Sequence, residues 1–198
     1  GIVLTDVDKI FSTRDAFAAL KTDGSIVSWG YLGSELSDDS QSKITEINKT
    51  SSINPIEKIY TTDSAFAALR KDGSVVTWGS GQGGADIDAV SSCLNDPTKK
   101  VINIFSNSGS FAALREDGSV VRWGGYSAGL DVISNISHIF SSGNSFAAIT
   151  NNGSVITWGT GESDYGGDSS NVSSQLNDTQ NPVTTIYSTF WAFAALRK

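Results

Sequence analysis

The chain has 198 residues, of which 38% are apolar and only 18% charged, so one sizeable core is within reach without disulfides, and long charged helices are not expected. Its net charge of −7, with 14 scattered Lys and Arg residues, argues against nucleic acid as a partner, because binding a phosphate backbone rests on grouped cations. One cysteine, Cys93, and one histidine, His138, leave no internal disulfide and no structural zinc site, and no run approaches the ~20 apolar residues of a membrane-inserted helix.

From the N-terminus, Ile2-Val3-Leu4 reads as a short strand without a hairpin of its own. Next comes Val7-x-x-Ile10-Phe11, then Phe17-Ala-Ala-Leu20, Asp23-Gly24-Ser25 and Trp29-Gly30. The same string returns with Phe66, Gly73 and Trp78, with Phe111, Gly118 and Trp123, and, with Asn152 in place of Asp, with Phe146, Gly153 and Trp158. A fifth copy stops at Phe193-Ala-Ala-Leu196. The Phe anchors lie 49, 45, 35 and 47 residues apart, so a constant block alternates with a connection of variable length. The units fall at about 7–54, 55–100, 101–134, 135–182 and 183–198, the last completed by 1–6, all within one repeat domain.

Inside each block two apolar runs flank Asp-Gly or Asn-Gly, the dipeptides that accept positive φ in a two-residue type I′ turn, which predicts a β-hairpin with Gly24, Gly73, Gly118 and Gly153 as structural turn residues. Phe17 and Ala19 alternate with Ala18 and Leu20, and Val27 and Trp29 with Ile26, so both faces of each sheet are apolar. Alanines in such strands call for something large packed over them, a Trp or Phe of the adjacent unit. Small sheets apolar on both faces cannot bury themselves alone, and radial stacking solves that problem. The expected fold is all-β: a β-propeller of five blades with three or four antiparallel strands each, closed by Ile2 to Leu4, or else a segment of a larger propeller.

The string Phe-Ala-Ala-Leu-x-x-Asp-Gly-Ser-Val-Val-x-Trp-Gly resembles the regulator-of-chromosome-condensation repeat, and its compact bacterial form in the propeller-type β-lactamase inhibitor protein. The resemblance covers nearly the whole chain. It implies a propeller, in a family whose members serve as exchange factors, chromatin binders, inhibitors and surface modules, so fold analogy alone assigns no mechanism. Family members usually have seven blades, more than the four and a half units here.

The repeated Trp residues fit inter-blade packing better than ligand stacking. Tyr31, Tyr126 and Tyr165 in the connections, and Trp191 beside Phe190, are demanded by no repeat position and are the candidate ligand-contact residues. Acidic stretches at Glu35 to Asp39, Asp86 with Asp88, and Glu162, Asp164 and Asp168 lack the spacing of a calcium loop. His138 occupies the place of Lys9, Lys58, Asn103 and Thr185, and Cys93 that of Gln175, which are solvent-facing positions. No nucleophile and base can be assembled from them, so no catalytic residue, cofactor or metal is expected.

The sequence therefore predicts a non-enzymatic binding or adhesion module that presents connections 31–54, 80–100, 125–133 and 160–182 to a protein partner. The alternative is a propeller lectin with a glycan ligand. An acidic, hydroxyl-rich composition points to a secreted or cell-surface protein, Gly1 and the absence of Met to an excised chain, and triplets at Asn48, Asn135, Asn152, Asn171 and Asn177 permit glycosylation.

Overall fold

A computed structural model describes residues 4–31, 37–125, 129–159 and 166–198. Five antiparallel sheets follow one another along the chain. The first is β1 (Val7–Ser12), β2 (Ala16–Lys21) and β3 (Ile26–Gly30), and the second is β4 (Ile56–Thr61), β5 (Ala65–Arg70) and β6 (Val75–Gly79). The third, β7 (Val101–Ser106), β8 (Phe111–Arg115) and β9 (Val120–Trp123), gains a fourth strand from β10 (Gly129–Ile133). The fourth is β11 (Ile136–Ser141), β12 (Ser145–Thr150) and β13 (Val155–Gly159), and the fifth pairs β14 (Val183–Ser188) with β15 (Phe193–Arg197).

The register explains the repeat. Phe17, Phe66, Phe111 and Phe146 each stand opposite the Trp of the same unit, and the four ring pairs stack with centroids 5.1–5.5 Å apart. A register shift after the first residue of β1, β4, β7, β11 and β14 inserts one residue into each of these strands. In a regular strand residues three apart face opposite sides; with the bulge, Ile56 and Ile59, or Val101 and Ile104, reach the same core.

Four core clusters join neighbouring sheets. Ala16, Ala18 and Leu20 of the first sheet pack with Phe66, Ala68 and Trp78 of the second, and the same partition of faces recurs between sheets two and three, three and four, and four and five. The small Ala18 faces the large Phe66–Trp78 pair, as the alanine pattern required. None of the four clusters joins the fifth sheet to the first. Of the expected closing strand, Ile2 and Val3 lie outside the described residues, and Leu4 is not in a strand.

Two expectations change. The hairpin turns are not type I′, because Gly24, Gly73, Gly118 and Gly153 have φ of +76° to +88° while none of the Asp or Asn residues before them does. The Gly24 N–H donates to the Lys21 carbonyl at 2.9 Å and the Lys21 N–H to the Ser25 carbonyl at 2.9 Å, a three-residue loop with a left-handed glycine. The cause is Asp23, whose carboxylate accepts the Ser25 N–H at 2.9 Å and holds its own backbone in an Asx-turn.

The second change is a charged helix, α1 (Ser37–Lys49), inside the first connection. Its Ile44 and Ile47, one turn apart, are buried with the first two sheets. Asn48 accepts the Ile26 N–H and donates to the Ile26 carbonyl, both at 2.8 Å, which occupies the outer edge of β3. The second connection repeats the device with the short α2 (Ser91–Leu94), a buried Leu94 and Asn95 accepting the Val75 N–H at 2.9 Å. These connections thus spend part of their length closing the sheets rather than facing a partner. Among the described residues no helix is long and apolar enough to cross a membrane.

Candidate binding surface

The five tight turns that enter β2, β5, β8, β12 and β15 share one chemistry. A hydroxyl or amide oxygen of Thr13, Thr62, Asn107, Ser142 or Thr189 accepts the N–H three residues on, at 2.9–3.2 Å. The middle of each turn is left free to bond outward, and it does so to the next unit. The Arg14 N–H donates to the Asp63 carbonyl, Asp63 to Ser108, Ser108 to Gly143, and Gly143 to Phe190, at 2.7–2.9 Å. A continuous column of backbone hydrogen bonds therefore crosses all five units, and the residue type changes at every step.

Two clefts open at this end of the sheets. The smaller, about 560 Å3, lies over the first three turns, with Arg14, Asp63 and Ser108 in its wall. The larger, about 830 Å3, lies between the second connection and the third turn and is lined by Asp86, Asp88, Asn107, Trp123 and Asn144. Asn107 borders both. Its oxygen is used by the Gly109 and Ser110 N–H groups, while its buried Nδ2 has no partner among the described residues, an unmet donor of the kind that a ligand or water satisfies. In the sequence these turns share a Thr, Asn or Ser three residues before an Ala or Ser at the start of the second strand, at a fixed offset from each repeated Phe; that offset is the signal that picks them out.

Of the candidate contact residues, Tyr31 is exposed just beyond β3, where its N–H donates to the Asp15 carbonyl at 2.9 Å. Trp191 is exposed in the last turn, edge-on to Phe190 at 5.5 Å. The two stand on the first and fifth units and share no cluster; Tyr126 and Tyr165 lie outside the described residues. Asp86 and Asp168 accept the N–H of Asp88 and Ser170 at 3.0 and 2.8 Å, and the bonds from Ser170 hold the Asp168 carboxyl below the usual carboxylate range. Among the described residues no three His, Cys, Asp or Glu side chains gather where a metal ion could sit. His138 and Cys93 are both exposed, on β11 and α2.

No family model and no curated protein matches the chain. Solved structures do. Yeast RCC1 (Prp20), in its complex with Kap60, superposes with a TM-score of 0.59 at 17% identity, over 97% of this chain and 54% of that one. The fold is that of an RCC1-type β-propeller. Human WBSCR16 gives a TM-score of 0.53 at 16% identity over 97% of this chain and 58% of its own. The ectodomain of the Arabidopsis thaliana receptor kinase ACR4 gives 0.57 at 13% identity, over 97% and 68%. The chain thus spans little more than half the length of the first two.

Proposed function

We propose that the chain is a non-enzymatic protein-binding module whose five units serve as blades of one propeller, and that it meets its partner through the end bearing the column of turns. The observation that carries this reading is the column itself. An identical hydrogen-bonded backbone displays Arg14, Asp63, Ser108, Gly143 and Phe190 in sequence, a rigid support with a varied set of contacts, beside a cleft of about 830 Å3. Protein partners of propellers with this fold support it, since the yeast protein was solved bound to Kap60 and a second structure of it was described together with its binding to Gsp1p and histones. The non-enzymatic part of the proposal rests on the sequence, whose single His138 and single Cys93 stand in different units. The compact bacterial repeat form and a secreted or cell-surface location belong to the same proposal, on the strength of the repeat motif and the composition.

The test is affinity capture from the source organism with the intact chain as bait, beside a glycan array. A captured protein that is lost on combining Arg14→Glu with Asp63→Lys, and kept in the His138→Ala, Cys93→Ala double variant, is the expected result. Multivalent binding of one sugar class, abolished by changing Tyr31, Tyr126 and Tyr165, would put the lectin in its place.

A further inference from the structure

The larger cleft carries two side chains that the fold does not ask for. The first is Asp88. The passage from sheet to connection in the second unit is repeated in the fourth: Thr77 donates its hydroxyl to the Ala85 carbonyl at 2.7 Å, as Thr157 does to Gly167 at 3.0 Å. Asp86 then accepts the N–H two residues on, as Asp168 does, and the Asp88 carbonyl accepts the Ser91 hydroxyl, as the Ser170 carbonyl accepts that of Ser173. Ser170 thus fills the place of Asp88 in a connection of the same build, so the Asp88 carboxylate is not what holds it. Among the described residues that carboxylate takes part in no hydrogen bond or ion pair.

The second is Asn107. The other four turns of the column need only a hydroxyl at this place, from Thr13, Thr62, Ser142 or Thr189. A hydroxyl can also pass its own proton on, as Thr62 does to the Gly83 carbonyl at 2.8 Å. The buried Asn107 Nδ2 donates to nothing among the described residues, a cost that the hydroxyl avoids. Both side chains line the same cleft of about 830 Å3, and no Lys or Arg is among the described residues around it. Asp86 and Asp88 are exposed there, beside the half-buried Ile87 and the indole of Trp123.

We infer that this cleft takes an arginine-bearing segment of the protein partner: the guanidinium pairs with the Asp88 and Asp86 carboxylates, its methylene stem lies along Ile87 and Trp123, and Asn107 Nδ2 donates to a backbone carbonyl of the segment. The inference rests on the reading of the chain as a protein-binding module and names the chemistry of what is bound. Arginine suits the two carboxylates better than lysine, because its planar fork bonds two oxygens at once. The volume is that of a site for several residues rather than one side chain. An anionic ligand would meet two carboxylates and no cation to offset them.

Titrating the isotope-labelled intact chain at low salt with millimolar acetyl-Gly-Gly-Arg-Gly-Gly-amide is expected to move the Asn107 side-chain amide and Trp123 indole signals saturably, and added salt to weaken the binding. Asp88→Ser is expected to weaken it about tenfold and Asn107→Thr to weaken it less. Both variants should keep the thermal midpoint, since Ser170 and Thr62 stand at the equivalent places; if Asp88→Ser fails to fold, Asp88→Asn replaces it. The same peptide with uncharged citrulline for arginine is expected not to bind. No movement of either signal, equal binding by wild type and Asp88→Ser, or equal binding of the citrulline peptide overturns the inference, as does a simple sugar that moves both signals where the peptide does not. A captured protein held equally well by Asp88→Ser would also overturn it while leaving the protein-binding module standing. Peptide bound as expected by a chain that captures no protein would support the cleft's chemistry and overturn the module.

Discussion

Gly118 and Gly153 hold the same place in their hairpins under different constraints. A Cβ on Gly118 would come no nearer than 3.4 Å to any neighbour, whereas one on Gly153 would fall 2.2 Å from Pro182 Cβ. Gly118→Ala is therefore expected to lose only the strain of a left-handed backbone, about 1–2 kcal/mol, and Gly153→Ala distinctly more, read as the gap between their urea midpoints at equal slope. The residue before the glycine governs acid stability. The Ser119 hydroxyl holds the Asp117 carboxyl at about 2, below its ordinary 3.8. A carboxylate depressed in the folded state contributes stability that is fully present above the unfolded value and is lost as pH falls through the folded one. Thermal midpoints should thus fall between pH 4 and about 2, and Asp117→Asn should fall less steeply, since Asn152 serves the equivalent turn uncharged by accepting the Ser154 N–H at 3.2 Å. At Asn48 both polar atoms of the amide are occupied by Ile26, so this site is expected to carry no glycan in a secreted product, as mass spectrometry of the tryptic peptide would show.

At the scale of the element, α1 illustrates what sequence reading reached and where it failed. Strands, hairpins and faces were legible because Phe, Ala, Gly and Trp recur at fixed offsets, and period two then sorts them between two cores. The bulge was written in the Val-x-x-Ile spacing, which a regular strand cannot use to bury both residues, and yet that inference needs the partner strand to be convincing. The turn type escaped because Asp-Gly serves two hairpin geometries, and what selects between them is the Asx-turn, in which the Asp or Asn side chain accepts the N–H two residues on. The helix escaped because Ile44 and Ile47 are only two apolar residues in a polar stretch, too few for periodicity to register. The column of turns escaped for a different reason, being a contact between units that no single unit contains. Ile47→Ala is expected to cost about 2–4 kcal/mol through the cavity it leaves. Asn48→Ala should cost about 1–3 kcal/mol by stranding the Ile26 N–H and carbonyl. Chemical denaturation measures both, and a helix that were merely a surface ornament would leave the midpoints unmoved.

For the whole molecule, stability is a sum over neighbouring pairs of units, and among the described residues the first and fifth units each share a core cluster with one neighbour, the others with two. Amide exchange is expected to be slowest in β8 and β12, which are covered on both faces, and fastest in β15, whose Ala194 and Leu196 are exposed. Equal protection along all five sheets would show that the ends are covered in solution. The glycine turns have one more consequence. The carbonyl of each accepts the first N–H of the sheet that follows, Ile56 from Gly24 and Val183 from Gly153 among them, so every connection lands on a point fixed by the unit it has left. It also departs from a fixed point, the stacked Trp. Between those anchors length can change outside the helices and strand that close the sheets, and the exposed Ile53, three residues ahead of the landing at Ile56, marks a place where a foreign peptide could be spliced in and displayed.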